Sequence, residues 1–248
     1  MYEGNKRLFS ILYGLGFVVT IALAVVAIWP DLEAQNFSAT FRGVEPTPLD
    51  CPIVLMSGES GNVTIELDNP LERRIRFAAI SFISRGNQLS IPQEDRQEIF
   101  IEPNGTGTLS WQVDESNRAY NFMVLARIYV FQNGRVESRS GTCGVMLINQ
   151  PPLANGSVSG QMLYQLAMIA GLICLFVGAW GLNEYENPVA LLDKVDGKPR
   201  LGIIFTGSAV LTLVFALIGR PGAGVAAIVF LILIGVALME RPSRKPPI

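Results

Sequence analysis

Four uninterrupted apolar runs, at residues 8–29, 161–182, 201–219 and 222–239, surround a longer stretch in which apolar and polar residues alternate. None of the four contains Asp, Glu, Lys or Arg. A helix rising 1.5 Å per residue needs roughly 20 apolar residues to cross ~30 Å of hydrocarbon, so each run predicts a membrane span. Lys6 and Arg7 precede the first run as they would in a secretory signal, but such a signal has an apolar core of only about 7–15 residues. The run at 8–29 is therefore expected to remain as an anchor.

Between the first two runs the period is two. Residues 52–56 form a short apolar strand closed by Ser57-Gly58. In 62–67, Val63, Ile65 and Leu67 share one face. Asp68-Asn69-Pro70 ends that strand, because proline cannot continue a ladder. Residues 74–82 place Ile75, Phe77 and Ala79 together, and then the apolar phase moves to Ile80 and Phe82, as a β-bulge would make it do. A charged loop is expected up to about residue 97, then a strand at 98–102 and an Asn104-Gly105 hairpin turn. The strand at 108–113 aligns Leu109, Trp111 and Val113. The longest strand, at 120–131, aligns Tyr120, Phe122, Val124, Ala126, Ile128 and Val130. Asn133-Gly134 turns the chain through 135–138 into a last strand at 142–149, while 31–48 is a connector with a short strand at 36–42. About seven strands in about a hundred residues is the spacing of a β-sandwich.

Three of these segments, GNVTIELDNP, EIFIEPNGTGTLSWQV and AYNFMVLARIYV, resemble the immunoglobulin-like and fibronectin-III-like sandwiches of microbial cell surfaces. The resemblance covers about residues 51–150 and no whole-chain family. It implies a corner role for Tyr120 at the head of the long strand. It also implies that Cys51 and Cys143 sit on the first and last strands, which lie side by side in such folds. The pattern departs from antibody domains: Phe122 stands where the second core cysteine would be, and residues 74–82 contain no Trp. The four-span layout resembles claudin-type proteins, but their W…LW…C…C pattern is missing. A fold does not imply a function.

The expected fold class is thus an α + β membrane protein with four transmembrane helices and one extracytoplasmic all-β sandwich inserted between helices 1 and 2. Its parts are residues 1–7, helix 1 at 8–29, the sandwich with connectors at 30–160, helix 2 at 161–182, a loop at 183–200, helices 3 and 4 at 201–219 and 222–239, and a tail at 240–248. Lys6, Arg7, Lys194, Lys198, Arg200, Arg241, Arg244 and Lys245 fall on one side of that layout, against Arg220 alone in the short opposite loop. The positive-inside rule puts both termini and the 183–200 loop in the cytoplasm and the sandwich outside the cell membrane. A Cys51–Cys143 disulfide fits that placement. Two free, partly buried thiols are the alternative.

Small residues mark possible helix-packing faces: Gly16, Thr20 and Ala24 on the first helix, Ala167 and Gly171 on the second, Ser208, Thr212 and Ala216 on the third. Ordinary small residues facing lipid would read the same way. Asn36, Asn62, Asn104 and Asn155 begin Asn-x-Ser/Thr sequons, acceptors for glycans if the source is eukaryotic. In Asn104 turn geometry alone explains the residue.

Composition narrows the chemistry. The mean hydropathy is +0.37, and only 16% of the 248 residues are charged. The segment 31–160 has more carboxylates than arginines and no lysine, which argues against nucleic-acid binding. Histidine is absent from the whole chain, so the commonest general base and metal ligand is missing. The carboxylates Glu94, Asp95, Glu98, Glu102, Asp114 and Glu115 could in principle serve glycoside chemistry or calcium, but a solvated strand edge is the expected reading. Arg73, Arg74 and Arg76 could receive an anion, and an outward strand face is again the simpler account. No catalytic, cofactor or metal residue is assigned.

These features point to a non-catalytic membrane accessory or scaffold subunit of a larger complex. Its expected partners are other integral membrane subunits and the lipid bilayer, with no nucleic acid and no small-molecule ligand. The alternative is a cell-surface receptor or adhesin whose sandwich binds a ligand. A membrane enzyme fits least.

Overall fold

The structure, a computed structural model, describes residues 2–38, 45–86, 92–132, 139–149, 158–185 and 210. The strand expected at 135–138, the helices expected at 201–219 and 222–239 (apart from residue 210) and the tail lie outside the described residues, as does nearly all of the 183–200 loop. The chain divides into two compact units, residues 25–166 and residues 1–24 with 167–248.

The 25–166 unit is a β-sandwich. Its strands are β1 (Glu45–Pro46), β2 (Val54–Met56), β3 (Gly61–Asp68), β4 (Ile75–Ile83), β5 (Gln93–Ile101), β6 (Thr106–Val113), β7 (Arg118–Ala119), β8 (Met123–Gln132) and β9 (Arg139–Ile148). One sheet runs β1-β9-β8-β4-β5, with β2 also on β9 and β7 on β8. The other is the antiparallel pair β3-β6. Val63, Ile65 and Leu67 from β3, with Leu109, Trp111 and Val113 from β6, close onto Phe77, Ala79, Val124, Ala126, Ile128, Val145 and Leu147 of the larger sheet. Alternation in β3 and β6 follows directly, because each has one face on this core and one in water.

The larger sheet is covered on both faces. Helix α1 (Tyr2–Asn36) runs past Pro30, and its last turns pack Ala34, together with Phe37 just beyond the helix, onto Ala119, Met123 and Leu125, with Phe82 beside them. The connector expected from residue 31 is therefore helical to Asn36, and the strand expected at 36–42 begins inside that helix; its residues 39–44 are outside the described set. Arg127 Nη1 donates to the Gln35 and Phe37 carbonyls at 3.1 and 2.9 Å, and Tyr129 Oη donates to the Ser38 carbonyl at 2.9 Å. These donors satisfy carbonyls that a helix C-terminus leaves without partners.

Three other expectations are corrected. The phase change at Ile80 and Phe82 is no bulge: β4 pairs with β5 without interruption from Ile75↔Ile101 to Ile83↔Gln93. Phe82 is apolar because it meets the helix-covered face, edge-on to Tyr129 at 5.9 Å. The charged stretch is strand β5 from Gln93, since an edge strand with one neighbour keeps its charges in water. Pro103-Asn104-Gly105 joins strands of different sheets and is a crossover turn rather than a hairpin. Gly107 packs closely there: a Cβ would stand 2.8 Å from Ile99 Cδ1 and 2.9 Å from Ile101 Cδ1, so those side chains would have to shift.

Buried Asn69 organises that crossover. Its Nδ2 donates to the carbonyls of Arg73, Ile101 and Glu102, and its Oδ1 accepts from Leu71 N at 3.1 Å. Asn69→Ala leaves several buried groups without partners and should destabilise the sandwich by about 2–3 kcal/mol. Chemical denaturation of the purified full chain checks this; a loss under ~0.5 kcal/mol would mean that water replaces the amide.

Cys51 and Cys143 form a disulfide, with Cα atoms 6.6 Å apart. β9 pairs with β1 at Arg139–Ser140 and with β2 from Met146, so its edge is open between them. The disulfide crosses that opening, and Asp31 Oδ1 accepts from Gly144 N at 2.8 Å within it. Gly144 is obligatory, since any Cβ would enter the backbone of Pro30.

The second unit contains the described helical stretches of α1 up to Ala24 and of α2 (Gly160–Tyr185) from Ala167. Both helices, at Arg7–Asn36 and Gly160–Gly181, are long and apolar enough to cross a membrane. The protein is α + β.

Candidate functional site

Two surfaces concentrate the residues singled out above. In the second unit α1 and α2 meet along a seam of small residues. Gly16 lies against the backbone of Leu175 and Gly171, where a Cβ would stand 2.8 Å from the Gly171 carbonyl oxygen. Gly171 in turn faces Val19 and Thr20, Gly178 faces Tyr13, and Gly181 faces Phe9. Residue numbers fall on one helix as they rise on the other, so the two are antiparallel. Thr20 is buried and returns its hydroxyl to Gly16 O at 2.8 Å, which removes a polar group from an apolar setting. Ala24 is fully buried, and Ala167 is half-buried. Leu8, Ile11, Leu15 and Val18, with Ile169, Ile173, Phe176 and Trp180, are exposed. Ser208, Thr212 and Ala216 lie outside the described residues.

The second surface is the end of the sandwich beside the start of α2. Glu59 Oε2 accepts from Met56 N and from Gly160 N, both at 2.9 Å, so a carboxylate sits at the N-terminus of α2, where the helix dipole favours it. Gln161 Oε1 accepts from Ile53 N at 2.9 Å. Asp114 caps the short 3₁₀ turn Glu115–Asn117, and Glu115 accepts from the Ser57 hydroxyl and from Gly58 N. A shallow cleft lined by Ser57, Glu115, Arg118, Asn121 and Asn149 has room for about one water, too little for an organic ligand.

Those bonds hold the exposed Glu115 carboxyl below the usual carboxylate range, the Ser57 hydroxyl contributing most and the Gly58 amide next. A depressed folded pKa means that the contact stabilises above the unfolded value and is lost as pH falls through the folded one. Protection of the Gly58 amide from exchange should therefore drop on acidification below the ordinary Glu range near ~4.3. In Glu115→Gln the drop should disappear. Persistence of the same pH dependence in that variant would assign it to another group.

Three of the remaining carboxylates pair with arginines. Glu102 meets Arg74 at 3.1 Å, Glu94 meets Arg96 at 3.6 Å, and Glu98 meets Arg76. Asp95 accepts from Trp111 Nε1 and Gln97 Nε2, both at 3.1 Å. Arg74 also stands over the Phe100 ring at 4.9 Å. Exposed pairs like these contribute little, on the order of 0–1 kcal/mol each. Among the described residues no group of three or more His, Cys, Asp and Glu could hold a metal ion.

Asn62 is exposed on β3, and Asn104 is exposed in its turn with a left-handed φ of 52°. Asn36 ends α1, and Asn155 lies outside the described residues. Tyr120 does not form a corner: it is exposed, with φ 50°, in the turn before β8. Its neighbour Asn121 also has a left-handed φ, of 68°, so the chain reverses there and β8 starts only at Met123. Sequence reading missed Glu59, Asn69 and Arg127, whose partners lie far along the chain or on carbonyls that carry no residue signal.

No family model matches the sequence, and no curated protein matches it. Among solved structures, the CARDB domain of a Pyrococcus furiosus protein aligns at a TM-score of 0.32 and 9% identity, over 42% of this chain and 91% of that one. Red sea bream transglutaminase aligns at 0.32 and 9%, over 42% of this chain and 16% of its own. A Listeria innocua β-glucosidase aligns at 0.27 and 15%, over 40% of this chain and 15% of its own. The sandwich reading rests on the two sheets described above, and the comparisons bring no sequence-level sign of an enzyme.

Proposed function

We propose that this protein is a non-catalytic integral membrane accessory or scaffold subunit, whose helices assemble with other membrane subunits and whose sandwich docks proteins outside the cell. The observation that carries this reading is how the polar side chains of the sandwich are used. The carboxylates suited to chemistry are engaged in ion pairs with arginines, in hydrogen bonds to Trp111 and Gln97 in the case of Asp95, or in turn and helix caps, as with Glu59, Asp114 and Glu115. Such groups build a rigid body. The disulfide supports placement of that body in an oxidising compartment. The exposed apolar faces of α1 and α2 suit lipid or further helices. On this reading the cell membrane is crossed four times, with both termini in the cytoplasm.

Purification of the tagged full chain in mild detergent, with sizing and mass spectrometry, tests it. Stoichiometric membrane proteins should elute with the chain. Elution alone, as a monomer or homo-oligomer, would sink the subunit reading in favour of a receptor or adhesin.

A further inference from the structure

The apolar run of α1 ends at Trp29, and the ring of Trp29 is 48% exposed. Phe122 stands edge-on to it at 6.0 Å between centroids, and Tyr120 lies 6.4 Å beyond Phe122. Tyr120 and Phe122 are also exposed. Three neighbouring rings turned to water are costly for a folded domain, because each is a large apolar surface. The turn that holds them out is itself strained: Tyr120 and Asn121 take left-handed φ values in succession, and the first is a bulky aromatic residue.

The turn sits at the end of the sandwich from which α2 departs. Leu147 N donates to the Phe122 carbonyl at 2.8 Å. One residue further along β9, Ile148 pairs with Met56, whose amide shares the Glu59 carboxylate with Gly160 at the start of α2. Within the first turns of α2, Met162 and Leu166 are exposed. Aromatic and apolar groups thus lie at the end of the sandwich where residues 160–166 of α2 begin. Trp and Tyr, with an apolar body and a polar edge, collect at the headgroup level of bilayers.

We infer that the Tyr120–Asn121–Phe122 turn, with Trp29, is seated in the outer headgroup region of the bilayer that α1 crosses, so the base of the sandwich is a lipid-binding surface. Continuity decides the occupant: Trp29 belongs to the membrane-spanning apolar run and is in ring contact with Phe122. The inference rests on the membrane reading above, and the two are tested apart.

Spin labels are placed singly, in a Cys174→Ser background of the full chain, at Tyr120→Cys, Phe122→Cys, Val18→Cys and Glu66→Cys. The chain is reconstituted in phosphatidylcholine–phosphatidylglycerol nanodiscs, and each label's accessibility to oxygen and to nickel-EDDA is measured by power saturation. Labels at 120 and 122 should show a several-fold higher oxygen-to-nickel ratio than the label at 66, and a lower one than the label at 18. Nickel-dominated accessibility at both 120 and 122, with position 18 in hydrocarbon, overturns the inference and leaves the membrane reading standing. Low accessibility to both reagents at 120 and 122 overturns it in favour of a protein contact. Nickel access at position 18 takes down the membrane reading and the inference with it. Labelling both 120 and 122 guards against one variant failing to fold.

Discussion

Replacing Cys51 and Cys143 together by serine should lower the thermal midpoint of the sandwich by roughly 10–20 °C. The two cysteines are 92 residues apart in sequence. Closing a loop of that length restricts the unfolded chain by an amount worth about 4–5 kcal/mol in the chain-entropy account. For a unit of the size of residues 25–166, each kcal/mol moves the midpoint by a few degrees. Location adds to the effect. The bridge spans the part of β9 between its pairings with β1 and β2, where that edge lacks a strand partner while the other edge stays paired with β8. Scanning fluorimetry of the full chain in detergent, following buried Trp111, measures the shift. A change below ~3 °C would show that the wild-type chain already carries free thiols or that its unfolded state stays compact.

Gly16→Leu should separate α1 from α2, whereas Gly14→Leu should leave them paired. A Cβ at position 16 meets the backbone of Gly171 and Leu175, which cannot rotate away, and one at position 14 meets nothing within 4 Å. Overpacking of this kind costs about 1–3 kcal/mol. In a helix pair held by close backbone approach, that cost is large against the whole association. Distances between spin labels at Leu15 and Phe176, both on exposed faces, report the outcome in a Cys174→Ser background. The wild type and Gly14→Leu should share one narrow distribution, and Gly16→Leu should give a longer, broader one. Identical distributions in all three would mean that the small-residue seam does not hold the helices together.

The candidate surfaces were unevenly legible. The spacing of Gly16, Thr20 and Ala24 is visible in any reading of the first apolar run, because three turns of one helix are local in sequence. The exposed aromatic turn was not. Tyr120 and Phe122 alternate in phase with Val124 and Ala126, so a period-two reading draws them into the strand. Only the successive left-handed residues Tyr120 and Asn121 turn them out, and Asn121 is the single faint signal of it, since Asn tolerates that backbone region.

The apolar runs of α1 and α2, the alternation of β3 and β6 and the two cysteines at the margins of the β-region were all legible along the chain. Each follows from a demand that adjacent residues meet together: continuous apolar surface for hydrocarbon, or one wet face and one dry face for an outer strand. Tertiary contacts set the rest. α1 continues past Pro30 because a sheet surface built from residues 119–125 buries Ala34 and Phe37. β5 begins at Gln93 because β4 supplies a partner for its charged edge, and Ile80 and Phe82 keep one strand phase because a helix covers the second face. In every such case the deciding partner lies many residues away, and local periodicity records only how many faces of a strand are dry, never which element keeps them so.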